Sequence, residues 1–386
     1  MDLASVTSSL DVSADIRDFA HLPAGRIEFG PGMLSRLGEF CKEQPGASRV
    51  LLVSDPGIAK AGHLERAVTS IESAGLTAII FDDVRENPTT EDVARAVEAA
   101  RAAKADVLVG IGGGSSMDTA KGCNFLLTNG GEMKDYWGVG KATKPMLPFL
   151  AVPTTAGTGS ECQSFALIAD AETHMKMACG DPKSAAAVAI LDPELTVTQP
   201  ARVTAVTGID AIAHALETAV CNKRTPVSLQ YSKLAFALLD GAFEEVLADP
   251  TNLEARARMQ LGAAYAGTAI ENSMLGIAHS CANPLSAHFG LIHGEAVGVM
   301  LPHVIRCNRQ LPDIADLYLS LGHSQLADRI EHLLKAASLP TSLAECQVDP
   351  DLIPTLATEA KQQWTAQFNP RQLQVSEFEE LYRAAL

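Results

Sequence analysis

Apolar periodicity in this chain changes character once, near residue 198, and that change limits the architectures open to it. Before it, residues 49–54, 78–81, 105–111, 148–153 and 187–191 are short apolar runs that read as strands. Residues 64–73 and 118–126 between them read as helices, as does a stretch entered through Thr89 and Thr90, with Glu91 and Asp92 in its first turn. Strands apolar on both faces and separated by helices imply a parallel sheet covered on both sides. After Gln199-Pro200 the pattern is helical almost throughout. Thr225-Pro226 supplies a cap with proline at the first helical position, and Thr251 with Glu254 spells a capping box. A length of 386 residues suits two domains. The expectation is an α/β domain over residues 1–198 and an all-helical domain over 199–386, with a site in the cleft between them.

Four glycines, Gly110, Gly112, Gly113 and Gly114, occupy five positions where the 105–111 strand gives way to a helix. Glycines there let backbone N–H groups approach a diphosphate, and a helix N-terminus favours its charge. The pattern is not the usual dinucleotide fingerprint, because Ser115 stands where the third glycine belongs and no acid follows at the usual distance. A ribose ligand is better sought upstream. Asp55 closes the first strong strand and either caps its loop or accepts from ribose hydroxyls; in the second role it would repel a 2′-phosphate and favour NAD over NADP. Residues 153–161, PTTAGTGSE, follow another strand and place Thr154, Thr155 and Thr158 beside two glycines, which suits a nicotinamide–ribose clamp. Lys176 reads as a surface lysine or as a ligand for ribose or phosphate.

In the helical half, Asp210 and His214 stand four residues apart amid apolar neighbours, so both leave one face of a helix. A buried carboxylate is costly unless it is paired or binds a metal. This segment alone fits either an Asp–His pair or part of a metal site. A second segment holds His279, His288 and His293, three of the chain's ten histidines within fifteen residues. Asp210 with His214, His279 and His293 offers one carboxylate and three imidazoles. That set suits Fe²⁺ or Zn²⁺, not Mg²⁺ or Ca²⁺. Cys281 reads as a small buried residue.

A net charge of -16 argues against nucleic acid and anionic membrane surfaces as partners. No run of eighteen apolar residues suggests a membrane span, and the acidic first twenty residues read as a loose leader rather than a signal peptide. The eight cysteines are scattered and form no CxxC pair, so they read as reduced cytosolic thiols.

The ordered motifs together resemble the iron-containing (group III) alcohol dehydrogenase family. IEFGPG at 27–32, GGGSSMDTAK at 112–121, PTTAGTGSE, LDPELT at 191–196, GIDAIAHALE at 208–217, the His279–His293 stretch and Asn369-Pro370-Arg371 carry the resemblance over nearly the whole chain. It implies the dehydroquinate synthase-like fold of that family: an α/β NAD-binding half, an all-helical catalytic half, and NAD in the cleft. It also implies a homodimer and Fe²⁺, with Zn²⁺ as the alternative, on Asp210, His214, His279 and His293. Cofactor residues carry over to Asp55, Asn87, Gly113, Gly114, Ser115, Thr154, Thr155, Thr158 and Lys176, with Asp118 of the same turn among the candidates. The activity implied is interconversion of small alcohols with aldehydes or ketones. The alternatives are a zinc polyol dehydrogenase, a metal-dependent cyclase or lyase that uses NAD transiently, and a non-catalytic NAD-binding protein. One position departs from the family pattern. Many members carry a further histidine four residues after the third ligand, near the nicotinamide, where this chain has Asn283. Asparagine does not titrate, so His288, or the ribose hydroxyls and water, would have to carry the proton.

Overall fold

The computed structural model describes residues 25–173 and 175–386; the leader expected in the first twenty residues lies outside them. Six strands form one parallel sheet: β1 (Arg26–Phe29), β2 (Arg49–Val53), β3 (Thr77–Phe81), β4 (Val107–Gly112), β6 (Phe149–Pro153) and β9 (Val188–Leu191), in the order β1-β9-β6-β4-β2-β3. Between β4 and β6 lies the short β5 (Gly138–Val139), and between β6 and β9 lie β7 (Phe165–Ala169) and β8 (Lys176–Gly180). These three make a separate small sheet in which β7 and β8 run antiparallel.

Alternation along β2 shows why the large sheet is covered twice. Leu51 and Val53 enter a core with the helices α4 (Thr90–Ala103) and α5 (Gly114–Asn129). Val50 and Leu52 enter the opposite core with α1 (Leu37–Lys42) and α3 (His63–Ser73). Each such side chain contributes about 1.5–3 kcal/mol on burial, so both faces resist a register slip. The short α2 (Pro56–Lys60) follows β2 directly. Thr89 caps α4 through a capping box with Asp92. The strands end in register, Val53 opposite Gly110 and Gly112 opposite Pro153. The chain leaves β2 towards β3 but leaves β4 towards β6. The crevice between the carboxyl ends of β2 and β4 is therefore a topological switch point, where ligands bind in sheets of this kind.

Helices follow β9: α6 (Ala201–Val220), α7 (Pro226–Ala248), α8 (Leu253–Glu271), α9 (Ile277–Phe289), α10 (His293–Asn308), α11 (Pro312–Leu319), α12 (Leu326–Ala336), α13 (Ile353–Gln362) and α14 (Val375–Ala384). One large apolar core joins them. α6 is long and apolar enough to cross a membrane, but it runs buried through this core. Thr225 caps α7 with Pro226 at the first position, as the sequence suggests. The box expected at Thr251 and Glu254 does not form. Asn252 caps α8 by accepting from Ala255 N–H at 3.0 Å, while the Thr251 hydroxyl turns back to Asp249. An asparagine one residue nearer the helix is the better cap.

The two halves meet at residues 154–164. Gly157 lies so close to α6 that a Cβ there would come 2.5 Å from the Thr207 Cβ, and Gly159, at φ +61°, touches the backbone of Gly267 on α8. The glycines of this loop, expected as part of a nucleotide clamp, have this packing to do first.

Candidate active site

Three helices bring the metal-ligand candidates together. α6 carries Asp210 and His214 one turn apart, both buried. Opposite them α9, entered through Gly276, presents His279, and α10 begins at His293. Gly294 makes that last approach possible, since a Cβ would come 2.0 Å from the Val206 carbonyl oxygen of α6. Asp210 Oδ1 lies 3.4 Å from His214 Nε2, 3.3 Å from His279 Nε2 and 3.8 Å from His293 Nε2. The His214 and His279 rings stack with centroids 4.9 Å apart.

The unsatisfied atoms point to a cation. Asp210 Oδ1 and His279 Nε2 are buried and lack an ordinary hydrogen bond among the described residues, a costly state for polar groups. A divalent ion among these nitrogen and oxygen donors satisfies both, and the donor set fits iron or zinc. His279 presents Nε2 because its Nδ1 is held 2.6 Å from the Glu217 carboxylate, which also accepts from Ala278 N–H at 2.7 Å. Such a carboxylate behind a ligating histidine fixes its ring. Burial alone would lower the His279 imidazole, but Glu217 and Asp210 outweigh it and raise it to about 9. Burial likewise works against the Asp210 carboxylate, and the surrounding imidazoles hold it far below its usual range. Glu217 is a functional residue that the sequence reading did not single out. Its signal was present, since it follows Asp210 by seven residues and so shares its helix face.

The second centre is the crevice at the switch point. α5 starts at Gly114 without a side-chain cap, so its first N–H groups are free to meet an anion. Beside them the buried Ser116 hydroxyl has no partner among the described residues. Gly112 is at φ +144°, and a Cβ there would come 2.5 Å from Ser116 Oγ, so only glycine fits. The second loop closes over the first: Thr155 and Thr158 are the neighbours that a Cβ on Gly113 or Gly114 would meet. Thr154 donates its N–H to the Gly112 carbonyl at 2.9 Å. Asp55 caps α2 by accepting from Gly57 N–H at 2.8 Å, while its other oxygen borders Gly112. Capping and a place at the crevice are therefore compatible. Asn87 sits exposed after β3 at φ +52°. Lys176 lies exposed at the start of β8, and its charge acts on both Asp118 and His293.

Three candidates are placed differently from expectation. Asp118 faces inward and accepts from Ser160 Oγ at 2.9 Å, so it braces the second loop and leaves the crevice to others. His288 follows His279 by nine residues, two and a half turns, and so leaves the opposite face of α9. Its ring pairs with Glu359 at 2.9 Å, away from the cluster. Asn283, one turn after His279 and on its side of α9, donates to Gln363 Oε1 at 3.0 Å.

This combination of fold and site defines a class: nucleotide-dependent oxidoreductases with a metal held by a helical half. The family model for iron-containing alcohol dehydrogenases matches residues 24–193, and the model for the C-terminal part of the same family matches 204–386. The chain belongs to the iron-containing alcohol dehydrogenase family. It is 35% identical to the NAD-dependent methanol dehydrogenase of Bacillus methanolicus over 92% of this chain and 97% of that one. Its structure superposes on that of a 1,3-propanediol oxidoreductase with a TM-score of 0.90 at 32% identity, covering 96% of this chain and 100% of that one. It also matches a sulfoacetaldehyde reductase from Bifidobacterium kashiwanohense, solved in complex with NAD+, with a TM-score of 0.88 at 26% identity, covering 96% and 99%.

Proposed function

We propose that this protein is an NAD-dependent alcohol dehydrogenase that interconverts small primary or secondary alcohols and the matching aldehydes or ketones. The observation that carries the reading is the convergence of Asp210, His214, His279 and His293 on unsatisfied buried atoms, beside a crevice lined with free N–H groups. These four residues would hold the metal, Fe²⁺ first and Zn²⁺ as the alternative. A metal bound there supplies Lewis-acid polarisation of the substrate oxygen, and the nicotinamide supplies the hydride chemistry. The chain's own part is positioning. Glu217 keeps the His279 ring aimed at the cluster. Ser115 and the N–H groups of Gly113 and Gly114 take the diphosphate, Thr154, Thr155 and Thr158 border the nicotinamide riboside, Asp55 and Asn87 take the adenosine end, and Lys176 meets a ribose hydroxyl. The Asp55 carboxylate favours NAD over NADP.

Asn283 offers an amide where an imidazole could have moved a proton, and His288 is turned away. With neither side chain available, the ribose hydroxyls of a bound cofactor and water would have to carry the proton. Eight free cysteines support a cytoplasmic setting, and the edge position of β1 among the described strands, with Phe29 exposed at its end, supports a homodimer. The test is NADH absorbance over a panel of short alcohols and aldehydes, before and after rigorous chelation and after reloading with Fe²⁺ or Zn²⁺. Full turnover of the chelated protein, or product formation without net change in NADH, would overturn the reading.

A further inference from the structure

Lys121 is wholly buried on α5, seven residues after Gly114. Its ammonium group lies 2.6 Å from the Ser160 carbonyl oxygen, 2.7 Å from that of Gln163, 3.0 Å from that of Phe165 and 3.0 Å from Ser160 Oγ. Three ammonium protons thus meet three carbonyls that point inward from one short stretch of chain. Ser160 Oγ passes the contact on to Asp118, one turn earlier on α5. From the other side, Glu271 at the end of α8 accepts from Ser164 N–H at 2.9 Å. Residues 160–165 are therefore gripped between the α/β half and the helical half.

What hangs on this grip lies immediately before and after it. Upstream, Thr155 and Thr158 face Gly113 and Gly114, and Gly157 packs on α6 between Asp210 and the start of that helix. Downstream, the Phe165 ring reaches Trp364 of the helical half, with centroids 6.5 Å apart. Burying a cation is costly, and a loop needing only to be filled could be filled by an apolar side chain. A lysine here does what an apolar residue cannot, because it ties three carbonyls to a single point.

We propose that Lys121 is a positioning residue for the reaction. It fixes the second cofactor loop against the first and against the helical half, so that the nicotinamide is held at a set distance from the metal cluster. The inference rests on the reading that residues 113–115 and 154–158 hold the cofactor.

The decisive variant is Lys121→Met, which keeps an unbranched side chain shorter by one atom and removes its donors. NADH affinity, followed by fluorescence titration, should fall about tenfold or more, the loss expected when several charge-assisted hydrogen bonds go. Metal content and the circular dichroism spectrum should stay as in the wild type, and KM for the alcohol should move far less than KM for NAD. In Lys121→Ala, added ethylammonium should restore part of the NADH affinity, whereas tetramethylammonium, which has no N–H to donate, should not. A packing role alone would be met by methionine and would not distinguish the two amines. Unchanged NADH affinity in Lys121→Met overturns the proposal. If that variant does not fold, Ser160→Ala removes the link to Asp118 together with the hydroxyl contact of Lys121, and wild-type NADH affinity there overturns it as well. Gly114→Val tests the underlying reading separately, since its side chain would crowd Thr158 without touching Lys121. Intact NADH binding in Gly114→Val would defeat the cofactor assignment itself.

Discussion

In the helical half, four polar side chains from three helices converge, and buried oxygen and nitrogen atoms among them are left without hydrogen bonds. In the α/β half, the crevice is lined mainly by backbone N–H groups, threonine side chains and glycines, of which Gly112 and Gly114 leave no room for a side chain. One centre is defined by what its side chains lack, and the other by the space its side chains do not fill. Substitutions should follow that division. Near the metal, chemistry should matter more than volume. Around the nucleotide, volume and single charges should matter more, and the metal should be indifferent.

The largest effect is expected at His279. His279→Ala should lower kcat/KM by about a thousandfold or more, roughly 4 kcal/mol of transition-state stabilisation. It should abolish metal retention while NADH titration stays near the wild type. Loss of NADH affinity along with the metal would join the two centres and break the comparison.

Glu217→Gln comes next. Loss of such a carboxylate behind a ligating histidine costs about 10–100-fold in metal affinity, readable by competition with a chelator. The same pair sets a pH dependence in the chelated protein. His279 is raised to about 9, chiefly by Glu217 against the cost of burial. Its protonation therefore adds stability that is complete below an ordinary imidazole value of about 6.5. That stability drains away as the pH climbs through about 9. The Tm of chelated protein should fall over that window, and the fall should shrink in Glu217→Gln. Loaded protein should show no such fall, because metal takes the place of the proton. Equal slopes in all three samples would remove Glu217 from its supporting role.

Asp55→Ser sharpens the nucleotide side. Serine keeps an oxygen for the α2 cap and removes the charge. The ratio of kcat/KM for NAD over NADP should drop about tenfold, roughly 1.4 kcal/mol. An unchanged ratio with unchanged Tm would leave Asp55 as a cap alone. The smallest effect is expected at His288→Ala, where kcat and the pH–rate profile should shift by less than about twofold. A flattened profile would return His288 to the proton path in spite of its pairing with Glu359.

How much of this could be read in the sequence followed from how local each signal was. Val50 to Val53 and Val107 to Ile111 are continuous apolar runs because both sheet faces are covered, so the parallel sheet was legible. β7 and β8 were not. In β7, Leu167 is exposed and apolar, which erases the contrast that marks a half-buried strand. Asp210 and His214 are helical neighbours and could be paired by spacing. Glu217, Ser116 and Lys121 gain their meaning only from residues far away in the chain: the His279 ring, the free end of α5, and three carbonyls beyond Gly159. His288 misled because its nearness to the cluster in sequence says nothing of the side of α9 from which it leaves.

α6 bears a consequence for how the protein is made. It sets Asp210, His214 and Glu217 within a stretch otherwise apolar enough to span a bilayer. Newly synthesised chain must hide that stretch quickly or clump through it. The partners of its three polar residues arrive only with α9 and α10, more than fifty residues later in synthesis. The four ligands are together only once α10 has been made, so the metal has no complete site before then. Cells starved of the ion should accumulate a soluble, heat-sensitive precursor rather than aggregates, and brief exposure to Fe²⁺ after harvest should convert it to active enzyme.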